Sequence, residues 1–238
     1  MADYLAEQID YFDHDDHLLD LNNIESPLQH MRVVFDVMDT SADGGWEAVA
    51  KRLETIDQPL DKYRQALEAG AARGLVPAQR QGQAAIPQAR AHASPGSSFF
   101  ALASTYDGAG ASDAALRSRL ERGIDHARSA YGTFAEYLET LHPRATPRDA
   151  VGPERYARAA KAFLGADIDL KETYAWGFEE IAKIESSMAE LADRIQPGAS
   201  TRAVIEGLQR SPEQVVTDVD QFLTLMRQRQ DRALSELL

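Results

Sequence analysis

The sequence predicts an all-α protein: a multi-helix bundle with two long helices, at about 112–141 and 169–195, and little or no sheet. Three observations predict it. Apolar residues recur at steps of three and four along most of the chain, the spacing that gathers them on one helix face. Helix-opening and helix-closing residues bracket these runs. Alternating runs of β-branched residues between turn residues, the mark of strands, are nearly absent.

Taken in order, the first helix is expected over 3–17. Ser26-Pro27-Leu28-Gln29 supplies a capping serine, a proline at the first helical position and a glutamine at the third. Those residues can satisfy N–H groups that a helix start leaves open. Leu28, Met31, Phe35 and Met38 continue as one apolar stripe. Shorter helices are expected over 43–55, 58–73 and 76–92. Between Gly74 and Ala115 the prolines and glycines (Pro77, Gly82, Pro87, Pro95, Gly96, Gly108, Gly110) predict helices broken by loops, and a soft division of the chain. Phe99-Phe100 within that stretch argues for packing and against a free linker. Ser94-Pro95-Gly96-Ser97-Ser98 reads as the cap of a helix opening near Phe99, in preference to a nucleophile or anion loop.

The first long helix carries Leu116, Leu120, Ile124, Ala127, Tyr131, Phe134, Leu138 and Leu141, and His142-Pro143 stops it. A proline-rich loop then leads to a helix over 153–164. The second long helix opens at Asp169, with Glu172 at the capping-box position, and ends before Pro197-Gly198. Its stripe runs through Leu170, Tyr174, Phe178, Ile181, Ile184, Met188, Leu191 and Ile195. Each stripe needs a partner surface, and packing the two long helices together is the economical arrangement. Trp176 lies off the stripe and is expected under a neighbouring segment or along a groove. Ser211-Pro212-Glu213-Gln214 repeats the earlier start signal, predicting a last helix that bears Val215, Val219, Phe222 and Met226.

At 238 residues the chain is read as a single helical region, long enough to bury a sizeable core. Its 25 basic and 38 acidic side chains leave a net charge of −13, which repels phosphate backbones and anionic lipid. Neither a nucleic-acid nor a membrane partner is expected. No apolar run approaches the ~20 residues that span a bilayer, and the acidic start lacks the basic and apolar regions of a signal peptide. With no cysteine there is no disulfide, thiolate metal site or cysteine nucleophile. A cytoplasmic location is the expectation.

Complete catalytic motifs are missing: no HExxH, no Gly-x-Ser-x-Gly and no Gly-Lys-Ser/Thr. The densest set of metal-ligand types is Asp10, Asp13, His14, Asp15, Asp16, His17 and Asp20. His14 and His17 could share a helical face, although a solvated acidic helix end accounts for the same residues. Glu139-x-x-His142 is half of a di-iron pattern, and no other histidine has a glutamate three residues before it. No catalytic, cofactor-binding or metal-ligating residue is therefore assigned.

Several segments occur together in a telling order: Leu21-Asn22-Asn23-Ile24-Glu25-Ser26-Pro27 continuing to Met38, Trp46 to Leu53, Ser98-Phe99-Phe100, Asp149 to Tyr156, and Asp169 to Ile181. In these the chain resembles the bacterial domain-of-unknown-function family 885. That family is similar in fold to helical zinc carboxypeptidases of the Taq type, whose HExxH-like motif binds zinc and activates water. The resemblance maps this chain to the region before the zinc motif. It implies a fragment of a larger peptidase-like protein: the non-catalytic N-terminal helical portion of a zinc-dependent metallopeptidase, forming one wall of the substrate cleft. Zinc is then expected only in the missing part, and the missing C-terminal catalytic region is the expected partner. Without it, a homo-oligomer through the uncovered docking face is expected. Glu154, Arg155 and Tyr156 are the candidate cleft-lining residues. A stand-alone helical binding or scaffold module without activity is the alternative, and a metal-dependent enzyme built on His14 and His17 is a third reading.

Overall fold

A computed structural model describes residues 2–108, 110–212 and 214–237. The helices are α1 (Ala2–Asp13), α2 (Pro27–Val33), α3 (Gly45–Leu53), α4 (Asp57–Ala72), α5 (Gln79–Ala93), α6 (Ser98–Ala103), α7 (Ala111–Leu141), α8 (Pro153–Leu164), α9 (Leu170–Ile195), α10 (Thr201–Arg210) and α11 (Val219–Leu237), with short 3-10 turns at Asp16–Leu18 and His142–Arg144. Among the described residues the only extended pairing is an isolated parallel bridge between Ala78 and Thr146. The protein is all-α, and both long helices stand where the apolar spacing places them. Contacts divide the chain into two compact units, Met1–Ala166 and Asp167–Leu238; the broken stretch 74–115 lies inside the first.

The first unit is built around α7. Its inward stripe, from Leu116 through Leu120, Tyr131, Phe134 and Leu138 to Leu141, is buried, and α3, α4 and α5 pack along it. From α3 come Val49 and Leu53, from α4 Leu60, Tyr63 and Leu67, and from α5 Ala85 and Ala89. Aromatic rings close the core at defined angles: Phe35 meets Phe99 edge-on at 5.3 Å, Phe99 meets Tyr131 at 5.5 Å, and Tyr63 stacks on Phe134 at 5.2 Å. α3 and α7 cross closely at Gly123, where a Cβ would stand 2.8 Å from the Cβ of Leu53. The start signal at Ser26 is in place, with Gln29 accepting from the Ser26 N–H at 2.9 Å. The helix it opens ends at Val33, and Phe35 reaches the core from the turn beyond.

His92 lies half-buried at the edge of this core, against Tyr131 at 4.9 Å and Phe99 at 5.8 Å. Burial, and then the charge of Arg32, holds its pKa below the ordinary histidine value. The folded protein therefore binds that proton less tightly than the unfolded chain. The stability it contributes is complete above ~6.5 and is lost as pH falls from there through the depressed folded value. Thermal melts between neutral and mildly acid pH should show a falling Tm, with a shallower fall for His92→Gln. An equal slope in the two proteins would place the sensitive group elsewhere.

The second unit is thinner. The Asp169 carboxylate opens α9, accepting from the N–H groups of Lys171 and Glu172 at 2.9 Å each, so this start signal is read correctly. Its apolar contact is with α10, where Ala192 and Val204 are buried. Two expectations need correction. The stripe from Tyr174 to Ile195 does not form a closed core: Tyr174, Phe178, Ile181, Ile184, Leu191 and Ile195 are all exposed. Nor does the stripe of α7 depend on α9, because α3, α4 and α5 already fill it. The last helix also begins later than expected, at Val219 and not at Ser211-Pro212. Asp218 caps it, accepting from the Gln221 N–H at 2.9 Å. The β-branched run Val215-Val216-Thr217 disfavours helix just before that cap. Glu213 of the supposed start signal lies outside the described residues.

Candidate functional site

The first unit contains a cleft of about 410 Å³ between three non-helical segments, 19–22, 74–78 and 146–151, with α8 at one side. Local geometry explains why these segments stay apart yet aligned. Asp15 takes the left-handed conformation (φ 58) that ends α1, a conformation its short polar side chain tolerates. Arg73 at the end of α4 holds the Asp15 carboxylate with both ends of its guanidinium, one contact being 2.8 Å. The Gln79 N–H donates to the Thr146 carbonyl at 2.8 Å, and the Thr146 N–H to the Pro77 carbonyl at 3.1 Å. Arg80 pairs with Asp149 at 3.0 Å. These links tie the second wall to the third.

At the α8 side the cleft meets a charged cluster. Arg155 lines it and places Nε 2.9 Å from Oδ1 of Asp16. One turn along, Arg158 donates through Nη2 to Oδ2 of the same carboxylate at 3.0 Å and lies 3.7 Å from Asp10. Asp16 is 8% exposed, and two guanidinium groups compensate its buried charge. Beside it the Tyr11 hydroxyl donates to Asp20 at 2.8 Å, while Tyr63 donates to the Asp20 carbonyl at 2.6 Å. Burial pushes the Asp20 carboxyl above the usual carboxylate range, although the Tyr11 hydrogen bond and the charge of Arg155 oppose the shift. The Tyr11 phenol is pushed well above its ordinary value by burial and then by Asp20.

Of the three residues expected from sequence to line a substrate cleft, Arg155 lies at the edge of this pocket. Glu154 opens α8 in its first turn, and Tyr156 is 56% exposed. The acidic set near the N-terminus does not converge. His14 bonds back to the Asp10 carbonyl at 2.9 Å, whereas His17 packs its ring on Phe12 at 4.7 Å. Glu139 is taken by Arg90 at 2.6 Å, and His142 sits over Gly82, away from any second carboxylate–histidine pair. Among the described residues no group of three or more His, Asp or Glu side chains could hold a metal ion. Ser97 stands at the N-cap position of α6, but its hydroxyl is buried and makes no capping hydrogen bond. Trp176 is 56% exposed on α9. A second groove of about 580 Å³ runs between α4 and α7, where His126 pairs with Asp57 at 2.9 Å on an exposed surface. The described lining of the cleft presents charge and non-helical backbone, and it brings no nucleophile, base and oxyanion donor together.

What sequence reasoning missed is the meeting of Asp16 with Arg155 and Arg158. The two arginines are three apart and so share a helix face, but nothing in the local pattern names their partner.

The chain matches the family described as bacterial protein of unknown function, DUF885, over residues 1–237. It belongs to the DUF885 family. No match is found among the curated proteins. The DUF885 chain is also similar in fold to the crystal structure of the putative lipoprotein from Colwellia psychrerythraea, with a TM-score of 0.73 at 16% identity. That similarity covers 91% of the DUF885 chain and 40% of the Colwellia chain, so this chain spans well under half the length of that relative. No described helix of the DUF885 chain is long and apolar enough to cross a membrane.

Proposed function

We propose that this chain is the non-catalytic helical portion of a zinc-dependent, carboxypeptidase-like peptidase, forming one wall of its substrate cleft. The observation that carries the reading is the uncovered apolar surface of α9–α11. Phe178, Ile181, Ile184, Leu191, Phe222 and Leu223 are all exposed there, more apolar side chain than a freestanding surface ordinarily presents. The Colwellia relative, which carries more than half its length outside the shared region, is long enough to supply such a cover. Zinc chemistry finds no support among this chain's described residues, since no ligand group converges. No catalytic step is therefore routed through them; their role is to bind and orient.

The test is reconstitution. The 238-residue chain alone should hold no stoichiometric zinc by elemental analysis and should not hydrolyse peptides. Supplied with the HExxH-bearing remainder of a longer family member, it should associate and support hydrolysis. Phe178→Asp combined with Ile181→Asp should weaken that association roughly tenfold or more, as loss of central apolar anchors does. Stoichiometric zinc with peptidase activity in this chain alone would refute the reading, and so would failure of the two parts to associate.

A further inference from the structure

Like the described residues 4–13 of α1, α8 joins the first unit without burying any side chain. None of its residues is buried, so it contributes nothing to the apolar core. Phe163 is 89% exposed, and Tyr156 and Leu164 are also exposed. What holds α8 down is charge: Arg155 and Arg158 close on Asp16 at 2.9 and 3.0 Å. Both ends of the helix are glycines in the left-handed half of backbone space, Gly152 at φ 86 and Gly165 at φ 70. Glycine crosses between backbone regions with little steric cost, so each end is a pivot. Arg155 lines the cleft from this helix.

From these facts we propose that α8 is a lid over the cleft, hinged at Gly152 and Gly165 and latched by the Asp16 carboxylate. Closed, it sets Arg155 at the cleft wall. Open, it withdraws Arg155 and widens access to the segment around Asp20. The latch is a switch and not a permanent weld because no side chain of α8 is itself buried in the apolar core. The cost of opening is the separation of the ion pairs, and two of the three partners are already partly open to solvent, with side chains 30% and 24% exposed. A helix seated by apolar burial would not lift without unfolding what lies beneath it. The proposal concerns the cleft of the first unit, and its test needs neither peptide nor zinc.

Amide hydrogen exchange on the 238-residue chain provides that test. In Asp16→Asn, amides of residues 156–164 should exchange about tenfold faster or more, while those of α4 and α7 keep their wild-type rates. The double variant Arg155→Gln with Arg158→Gln approaches the latch from the lid side, where no core residue is touched, and should give the same local acceleration. Unchanged exchange over 156–164 in the double variant overturns the lid. Acceleration shared equally by α4 and α7 in both variants also overturns it, because the cluster would then be holding the whole unit together. Loss of the lid would leave the cleft-wall reading intact, and failed reconstitution with normal latch behaviour would separate the two in the other direction.

Discussion

Replacing Gly70 with alanine should destabilise the first unit by about 3 kcal/mol and displace the walls of the cleft. Gly70 lies near the end of α4 and is buried. A Cβ there would stand 2.3 Å from the Leu18 carbonyl oxygen and 2.9 Å from that of Leu75. Both obstacles are backbone atoms, so no side-chain rotation relieves the clash. Leu18 directly precedes the first cleft wall, and Leu75 belongs to the second. The strain must therefore be met by moving one wall or by pulling α4, with its Leu60, Tyr63 and Leu67, off its seat against α7. Calorimetry should register a Tm lower by roughly 6–12 °C for a unit of this size. Exchange of the 19–22 and 74–78 amides should rise more than that of central α7. Gly74→Ala provides the contrast: its added Cβ meets nothing within 4 Å, and its cost is that of a positive φ alone. Equal losses in the two variants would show that close packing at Gly70 is not the determining factor.

The second large effect is expected at Phe99. Its ring is wholly buried, edge-on to Phe35 and within 5.5 Å of Tyr131, with the Arg32 guanidinium 5.6 Å over its face. Phe99→Ala should cost about 3–5 kcal/mol, the transfer of the ring plus the cavity it leaves. His92 loses one of its two aromatic neighbours in the same step. Its pKa should return toward the ordinary value, and the acid sensitivity described above should weaken together with the lost stability. Urea unfolding and the pH dependence of Tm read the two consequences separately. By contrast Phe100→Ala, which removes an exposed ring on the same short helix, should change stability little.

The helices themselves were legible because their information is local. Asp169 caps α9 as its place before an apolar stripe predicts, and Gln29 closes back on Ser26. The misjudged start at Ser211 shows the limit of that reading. A capping pattern and β-branched residues competed over a few positions, and Asp218, seven residues on, became the cap. The candidate site was legible only in part. Arg155 emerged from sequence as a residue at the opening of α8, but nothing near it identifies Asp16 as its counterpart.

Read alone, the chain determines that it is helical, where its two long helices lie, which faces are apolar, and that it carries no complete catalytic motif. Those properties depend on spacings of three or four residues and on single capping side chains, which short-range sterics and hydrogen bonding translate directly into backbone shape. Only the tertiary structure decided which apolar stripe is filled and which is left open. α7 is enclosed by three helices of its own unit, while the equally regular stripe of α9 remains exposed. It also decided that α8 is seated by two arginines on one buried carboxylate. Burial and ion pairing join residues far apart in sequence, and their energy depends on what surrounds them in space, which no local pattern encodes.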